Sequence, residues 1–401
     1  MTRRFLRLAL VLGLITAVGP FAIDMYLPAM PTMGASLDAS PMAVQGSLMA
    51  FFITIGLCQL VYGPLSDIVG RKAPIYAGLA IFAAGSIGCA LAPTIGVLIG
   101  FRVVQAIGAC ASMVVPRAIV RDLHTGHEAT RLMSLLMLVV GISPILAPLT
   151  GSFVIAAFGW RGVFVALTVA AALAFLLAAV ELKETRPAER RSDSSWIGAV
   201  RAYKELAVDP EFIGLTLVGG FGMSAFFVYL ASAPFVFINF YGLSPQMFSL
   251  CFALNAASFF GFSQLTGSLT QRYGLRAVIR VAVCGFALAP AILAILFAAG
   301  VQHFALMIAM LFVGYGFLVL VLPTAAVLAL EHHGAIAGTA SALMGSLQMI
   351  VGAAIMAVAS LFASGGPVPM TVGIACCAIG AFCSAHLTLR APRLPQVAAG
   401  R

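Results

Sequence analysis

The sequence predicts an all-α membrane protein of twelve transmembrane helices, and three observations support this fold class. Of the 401 residues, 62% are hydrophobic and 9% are charged, whereas a soluble domain is about half apolar and about a quarter charged. The apolar residues form twelve runs, each long enough to cross a hydrocarbon core of about 30 Å. Basic residues are concentrated in the gaps between these runs. The chain is therefore predicted to lie in lipid rather than in water.

The apolar runs define the predicted spans. The first run follows Arg3, Arg4 and Arg7, as the apolar segment of a signal peptide follows basic residues. It is too long for a signal peptide, however, and no small-residue cleavage site ends it, so we interpret it as a membrane helix. The twelve runs lie near 8–30, 43–62, 74–92, 96–116, 132–157, 163–180, 212–239, 247–269, 277–299, 304–330, 337–362 and 369–389.

The basic residues predict an orientation. All but two of the 22 Lys and Arg residues lie in the terminal segments or in alternate loops, which places them on one side of the membrane. The exceptions are Arg102, inside span four, and Arg161, in a loop on the other side. Because positively charged loops stay in the cytoplasm, both termini are predicted to be cytoplasmic. The net charge of +9 thus reflects topology, and no nucleic-acid partner is predicted.

One long polar connection divides the chain. It predicts an N-terminal six-helix bundle at 1–182, a cytoplasmic linker at 183–210 and a C-terminal six-helix bundle at 211–401. Apolar residues at helical spacing in the linker favour a short amphipathic helix on the inner membrane surface, although a solvated linker is the alternative. These residues are Trp196, Ile197, Val200, Tyr203 and Ala207.

An internal repeat relates the two predicted bundles. The segment 63–72, which follows span two, resembles the segment 267–276, which follows span eight. The segment 26–31 in span one likewise resembles 229–234 in span seven, at nearly the same offset. Duplicated halves of a transporter characteristically enclose a binding site between them.

Four motifs carry a resemblance to a known family. The loop Gly-Pro-Leu-Ser-Asp-Ile-Val-Gly-Arg-Lys at 63–72 is similar to the loop motif of the major facilitator superfamily. Asp-Met-Tyr-Leu-Pro at 24–28, Arg-Val-Val-Gln-Ala-Ile-Gly at 102–108 and Ala-Pro-Leu-Thr-Gly at 147–151 resemble its Bcr/CflA group of drug:proton antiporters. The resemblance covers essentially the whole chain. It departs at Ile68, where the loop motif usually has a basic residue.

The resemblance implies a fold and an activity. The fold is the major facilitator fold, with two pseudo-symmetric six-helix bundles, in the bacterial inner membrane. The activity is proton-coupled export of small apolar or amphipathic drugs, of the bicyclomycin, sulfonamide or chloramphenicol type. The implied partners are a drug, protons and the lipid bilayer, and the protein is expected to be a monomer without a metal or other cofactor.

Asp24 and Arg102 are the two ionisable residues predicted to lie deep inside spans. A charge at bilayer depth costs about 2.5–3.5 kcal/mol. Both are predicted about 9–11 Å below the outer surface, so they could form a pair. Either the pair is permanent and holds spans one and four together, or Asp24 gains and loses a proton as its contact with Arg102 changes. The repeat places Phe227 opposite Asp24, so proton chemistry is predicted in the N-terminal half.

Three further groups of candidate residues follow. A charge cluster that steadies one access state, or alternatively a solvated loop, is predicted for Gly63, Asp67, Gly70, Arg71, Lys72, Arg121 and Asp122. A bent antiporter helix, which ordinary packing would explain as well, is predicted from Pro144, Pro148 and Gly151. Candidate residues of a substrate cavity are Tyr26, Gln105, Phe227, Asn255 and Gln348.

Other functional classes fit the sequence less well. An intramembrane enzyme would need a nucleophile and a base, or metal ligands, at depth, and the spans have no central histidine. A passive channel would need a continuous polar lining. The main alternative is an exporter of sugars, amino acids or other small metabolites. The 29 Phe and 17 Met residues favour an adaptable apolar cavity and hence drug-like substrates.

Overall fold

The computed structural model describes residues 3–124, 126–186, 196–362 and 365–390. Every regular element in these ranges is helical, as the sequence predicts. The helices are α1 (Arg3–Asp24), α2 (Met30–Ser36), α3 (Pro41–Val69), α4 (Lys72–Leu91), α5 (Ile95–Leu123), α6 (Gly126–Glu181), α7 (Trp196–Ala207), α8 (Pro210–Pro234), α9 (Pro245–Tyr273), α10 (Leu275–Ala298), α11 (Phe304–Leu330), α12 (Ala337–Leu361) and α13 (Pro367–Arg390).

Eleven helical segments of the described chain are long and apolar enough to cross a membrane. One of them, Arg131–Glu181, has 51 residues and a length of about 77 Å, more than twice the hydrocarbon thickness. It is broken at Gly159, whose φ of 69° is a conformation that glycine adopts without steric cost. The two arms of α6 therefore correspond to predicted spans five and six, which gives twelve segments of spanning length.

Span one differs from the single run predicted near 8–30. Helix α1 ends at Asp24, a short 3₁₀ turn occupies Leu27–Ala29, and α2 continues from Met30. Pro28 and Pro31 cause the break, because neither has a backbone N–H to donate to the preceding turn. The break places Asp24 at the carboxyl end of a helix. In the repeat, a π-helical turn at Phe235–Phe240 follows Pro234.

The helices on each side of the linker pack mainly with one another. Before the linker, α5 packs against α1, α3 and α4, and α6 packs against α1 and α4. After it, α8 packs against α11, α12 and α13, and α10 packs against α11 and α13. The two sets meet along α3 with α12 and along α6 with α9.

Helix α7 occupies the predicted amphipathic segment, whereas residues 187–195 of the linker lie outside the described ranges. Leu206 is buried against the bundle, and the Tyr203 hydroxyl donates to the Leu60 carbonyl oxygen at 3.1 Å. Trp196 and Ile197 are exposed on another face. The helix therefore docks on the ends of the membrane helices and leaves an apolar edge outside.

Candidate functional site

A cavity of about 1280 Å³ lies between α5 and α6 on one side and α8, α9 and α11 on the other. Its wall is mostly apolar, with many Met and aromatic side chains, and Arg121 and Arg131 are the charged residues that line it. The mouth lies at the same end of the helices as Arg71, since Arg71 binds Asp122, the neighbour of Arg121. The cavity is thus formed jointly by helices from before and after the linker.

Aromatic rings surround a small polar cluster deep in this cavity. Asn255 donates through Nδ2 to the Tyr229 hydroxyl at 3.0 Å, and the Tyr229 and Tyr315 rings are 5.3 Å apart. Phe252 stacks on Tyr229 at 5.6 Å. The Tyr315 hydroxyl and the Asn255 Oδ1 atom are buried without a hydrogen-bond partner in the described chain. The hydrogen-bonding capacity of these two groups is therefore unused within the described chain.

Of the five residues predicted for a substrate cavity, Asn255 lines this one and the other four lie elsewhere. Phe227 stacks face to face on Phe52 at 3.8 Å, where α8 meets α3. Gln348 packs closely against Gly219. Tyr26 and Gln105 are fully buried around Arg102. Hydropathy gives the depth of a residue but not the face of the helix on which it lies, so a cavity role for these four residues stays a prediction.

Arg102 is completely buried and is held by neutral groups. Its Nη1 atom donates to the Ala22 carbonyl oxygen at 3.0 Å and to the Gln105 Oε1 atom. The guanidinium lies over the Tyr26 and Phe51 rings, at 4.5 and 4.1 Å from their centroids. Such cation–π contacts strengthen where water is excluded. The Nε and Nη2 atoms are buried without a partner in the described chain.

Asp24 is also buried, with 4% of its surface exposed, but the predicted pair with Arg102 is not formed. No ion pair or hydrogen bond of the Asp24 carboxyl group occurs among the described residues. The reason is that the Arg102 side chain is turned toward Gln105 and the aromatic rings. The structure therefore shows the two groups in an unpaired arrangement.

The first arm of α6, which the sequence predicts as the antiporter helix, contacts both the cavity and the break beside Asp24. Pro144 lines the cavity, and the Pro148 carbonyl oxygen accepts a hydrogen bond from Ser249 in α9 at 2.9 Å. Gly151 packs so closely on the backbone of Met25 that a side chain there would clash with the Met25 carbonyl oxygen. One helix thus joins the cavity wall to the break beside Asp24.

The predicted charge cluster is present, with one exception. Arg71 binds Asp122 at 2.7 Å and Asp67 at 2.8 Å, and Gly70 has the positive φ of 95° that the turn requires. Lys72 lies over the Tyr76 ring, and the Gly63 carbonyl oxygen accepts a hydrogen bond from the Ser66 hydroxyl, which accepts one from Arg71. Arg121 forms no contact with this cluster within the described chain and instead lines the cavity.

Glu184, which the sequence analysis missed, completes the cluster. Its carboxylate accepts hydrogen bonds from the backbone N–H groups of Arg71 and Lys72, at the start of α4, at 2.9 and 3.2 Å. Partial burial acts to raise the pKa of Glu184, but its four backbone N–H donors outweigh that effect and lower the pKa. Arg186 adds a hydrogen bond from Nε to the Asp67 carbonyl oxygen. These contacts tie the end of α6 to the loop between α3 and α4.

Gly151→Ala tests the close approach of α6 to the break. The added methyl group meets backbone, which cannot rotate away, so we expect a loss of about 1–3 kcal/mol of stability and a lower melting temperature of the purified protein. Gly100→Ala is the matched control, because no atom lies near its new methyl group and alanine favours the helix. Equal melting temperatures for both variants would contradict the packing argument.

Glu184→Gln tests the contact at the start of α4. The folded protein holds the pKa of this carboxyl below its ordinary value of 4.5. Its charge therefore stabilises the fold at higher pH, and the contribution is lost as the pH falls through the lowered pKa. We expect the variant to melt below wild type equally at pH 8 and pH 6, with a difference that shrinks below pH 4.5. The control is Glu181→Gln, and a difference that grows in acid would contradict the assignment.

Comparison with known proteins agrees with this architecture. The family model described as "Major Facilitator Superfamily" matches residues 12–357. Multidrug resistance protein D of Escherichia coli strain K12 is 33% identical over 87% of this chain and 87% of its own. A bicyclomycin resistance protein homolog of Haemophilus influenzae is 28% identical over 92% of this chain and 93% of its own. The fold matches a crystal structure of a D-xylose–proton symporter with a TM-score of 0.76, 15% identity and coverage of 96% and 97%. The chain belongs to the Major Facilitator Superfamily, and its relatives confirm the resemblance to the Bcr/CflA group within it.

Proposed function

We propose that this protein exports small apolar or amphipathic drugs across the bacterial inner membrane in exchange for protons, as a monomer. The observation that carries the proposal is the large aromatic cavity between the two sets of helices. Its volume exceeds that of a typical ligand pocket of about 300–1,000 Å³, which suits molecules of varied shape. The names of the multidrug and bicyclomycin resistance relatives support the same class of substrate.

The proposed transport cycle is alternating access between two six-helix bundles, at 1–182 and 211–401. The positive loops put the cavity mouth in the cytoplasm, so this conformation receives drug from inside. On the opposite side, the stack of Phe52 on Phe227 closes the pathway. A hydrogen bond from Gln45 to the Ala231 carbonyl oxygen also crosses between the two halves there. In the cycle, the Arg71 cluster steadies one of the two access states, and opening the outer side separates Phe52 from Phe227.

Proton coupling is proposed to occur at Asp24. A buried carboxylate without a partner is costly, and binding a proton removes that charge. When the proton leaves, the Asp24 carboxylate can instead form an ion pair with the two unpartnered donors of Arg102. A shift of α6 at Gly151 moves the Met25 backbone next to Asp24. Drug binding against α6 is therefore the step that changes the distance between Asp24 and Arg102.

The alternative of a sugar or amino-acid exporter is not favoured by the cavity. A polyhydroxylated substrate needs many hydrogen-bonding groups, since each buried polar group without a partner costs about 1–3 kcal/mol. The deep end offers the Tyr229, Asn255 and Tyr315 cluster among aromatic rings. The similarity to the D-xylose–proton symporter, at 15% identity, concerns the fold alone.

Asp24→Asn tests the coupling. The amide keeps the size of the side chain but cannot exchange a proton, so we expect proton-driven export to fall by about tenfold or more while binding persists. The measurements are chloramphenicol and bicyclomycin uptake by inverted vesicles under an imposed pH gradient, and drug-triggered proton release from purified protein. Asp38→Asn is the control, because Asp38 has a positive φ of 47° that asparagine also tolerates. Wild-type proton release from Asp24→Asn would exclude Asp24 as the carrier.

A further inference from the structure

The charges on the cavity wall are all of one sign. Among the residues that the structure describes, Arg121 and Arg131 are the charged residues that line it, and no Asp or Glu does. Neither arginine forms an ion pair or a hydrogen bond within the described chain. Asp24, the buried carboxyl group at the break in span one, does not line the cavity. The mouth therefore has a positive potential, which no carboxylate in the described part of the lining offsets.

The deep end of the cavity has hydrogen-bonding capacity that the protein does not use. Tyr315 is 2% exposed and Asn255 is 2% exposed, yet the Tyr315 hydroxyl and one end of the Asn255 amide have no partner. This holds for either orientation of the amide, because the Tyr229 hydroxyl satisfies only the other end. A buried group in this condition is satisfied when a ligand supplies the missing partner.

We propose that the cavity selects uncharged or monoanionic aromatic molecules and discriminates against cations. The flat part of the molecule lies among Phe226, Tyr229, Phe252 and Phe259, and a hydroxyl, carbonyl or amide group bonds to Asn255 and Tyr315. An anionic group remains toward the mouth, near Arg121 and Arg131. This inference rests on the proposed function, since it names the substrate class of the same cavity.

The aromatic wall alone would favour a different class. Tyr and Phe rings attract cations in a site from which water is excluded. Here a cation must pass two unpaired guanidinium groups to reach the rings, and the described wall holds no carboxylate to neutralise it. Repulsion between a cationic ligand and these guanidinium groups is stronger at low dielectric than it would be in water. The arginines therefore decide the sign of the preference.

The test uses three fluorescent probes with one aromatic body. Dansyl amide is neutral, dansyl glycine is a monoanion and N-(2-aminoethyl) dansyl amide is a monocation. Binding to the full-length protein is measured by dansyl fluorescence in nanodiscs of phosphatidylcholine, with empty nanodiscs as background. We expect the cation to bind about tenfold more weakly than the neutral probe, and the anion to bind at least as tightly. A cation that binds as tightly as the neutral probe would overturn the inference.

Variants separate the two parts of the site. Arg131→Gln and Arg121→Gln should each weaken the anion several-fold and leave the neutral probe unchanged. Arg201→Gln removes the same charge on α7, outside the cavity, and should change none of the three affinities. Equal effects of Arg131→Gln and Arg201→Gln would show that net charge, not the cavity mouth, sets the preference.

Tyr315→Phe removes one hydroxyl and keeps the ring, so it tests the deep end without emptying the cavity. We expect several-fold weaker binding of all three probes, at an unchanged melting temperature. Wild-type affinity for the neutral probe would overturn the role of this hydroxyl.

The binding experiment needs no proton gradient, so it can fail independently of the proposed function. Selective binding without drug export by reconstituted vesicles would contradict the export function and leave the charge selection intact. Vesicles that export cationic and neutral dansyl probes equally well would support export and overturn the charge selection.

Discussion

The structure around Asp24 depends on the complete burial of one guanidinium group, that of Arg102. A charge at this depth needs partners, and the broken helix supplies one of them. Because α1 ends at Asp24, its last carbonyl groups lack intrahelical partners, and that of Ala22 accepts a hydrogen bond from Arg102. Gln105 is held in turn by Ser86, which accepts its amide N–H at 2.7 Å. The break and the buried charge therefore stabilise each other.

The first arm of α6 connects this polar site to the cavity. Pro144 of this arm lines the cavity. One turn further along, the Pro148 carbonyl oxygen binds α9, and Gly151 then lies against Met25. The Ser249 hydroxyl of α9 donates to the Pro148 carbonyl oxygen, so a hydrogen bond ties the two helices together at this point. In the proposed mechanism α6 is the element that senses both drug and proton, and the cavity wall opposite it comes from α8, α9 and α11.

Much of this could be predicted from sequence, for physical reasons that also set the limits. Apolar run length gave the spans, and the rarity of buried charge singled out Asp24 and Arg102. The break after Asp24 was missed because hydropathy counts apolar residues across Pro28 and Pro31 without regard to their missing N–H groups. Glu184 was missed because it meets Arg71 from the far end of α6, and nothing local in the sequence signals that contact. Gln105 lies away from this cavity because it binds Arg102, which lies on the same buried face, and polarity alone does not signal that partner.

One carboxyl group lies deep within the described helices, and this determines which energy source drives the export of each class of drug. If one proton enters per cycle, export of a neutral molecule moves one positive charge inward, and the membrane potential contributes about 2.3 kcal/mol per 100 mV. Export of a monoanion moves two charges inward and doubles that to about 4.6 kcal/mol per 100 mV. Export of a monocation is electroneutral and draws only on the pH gradient, at about 1.4 kcal/mol per unit. In an alkaline medium, where that gradient vanishes, the cell would still expel neutral and acidic molecules and would retain cations.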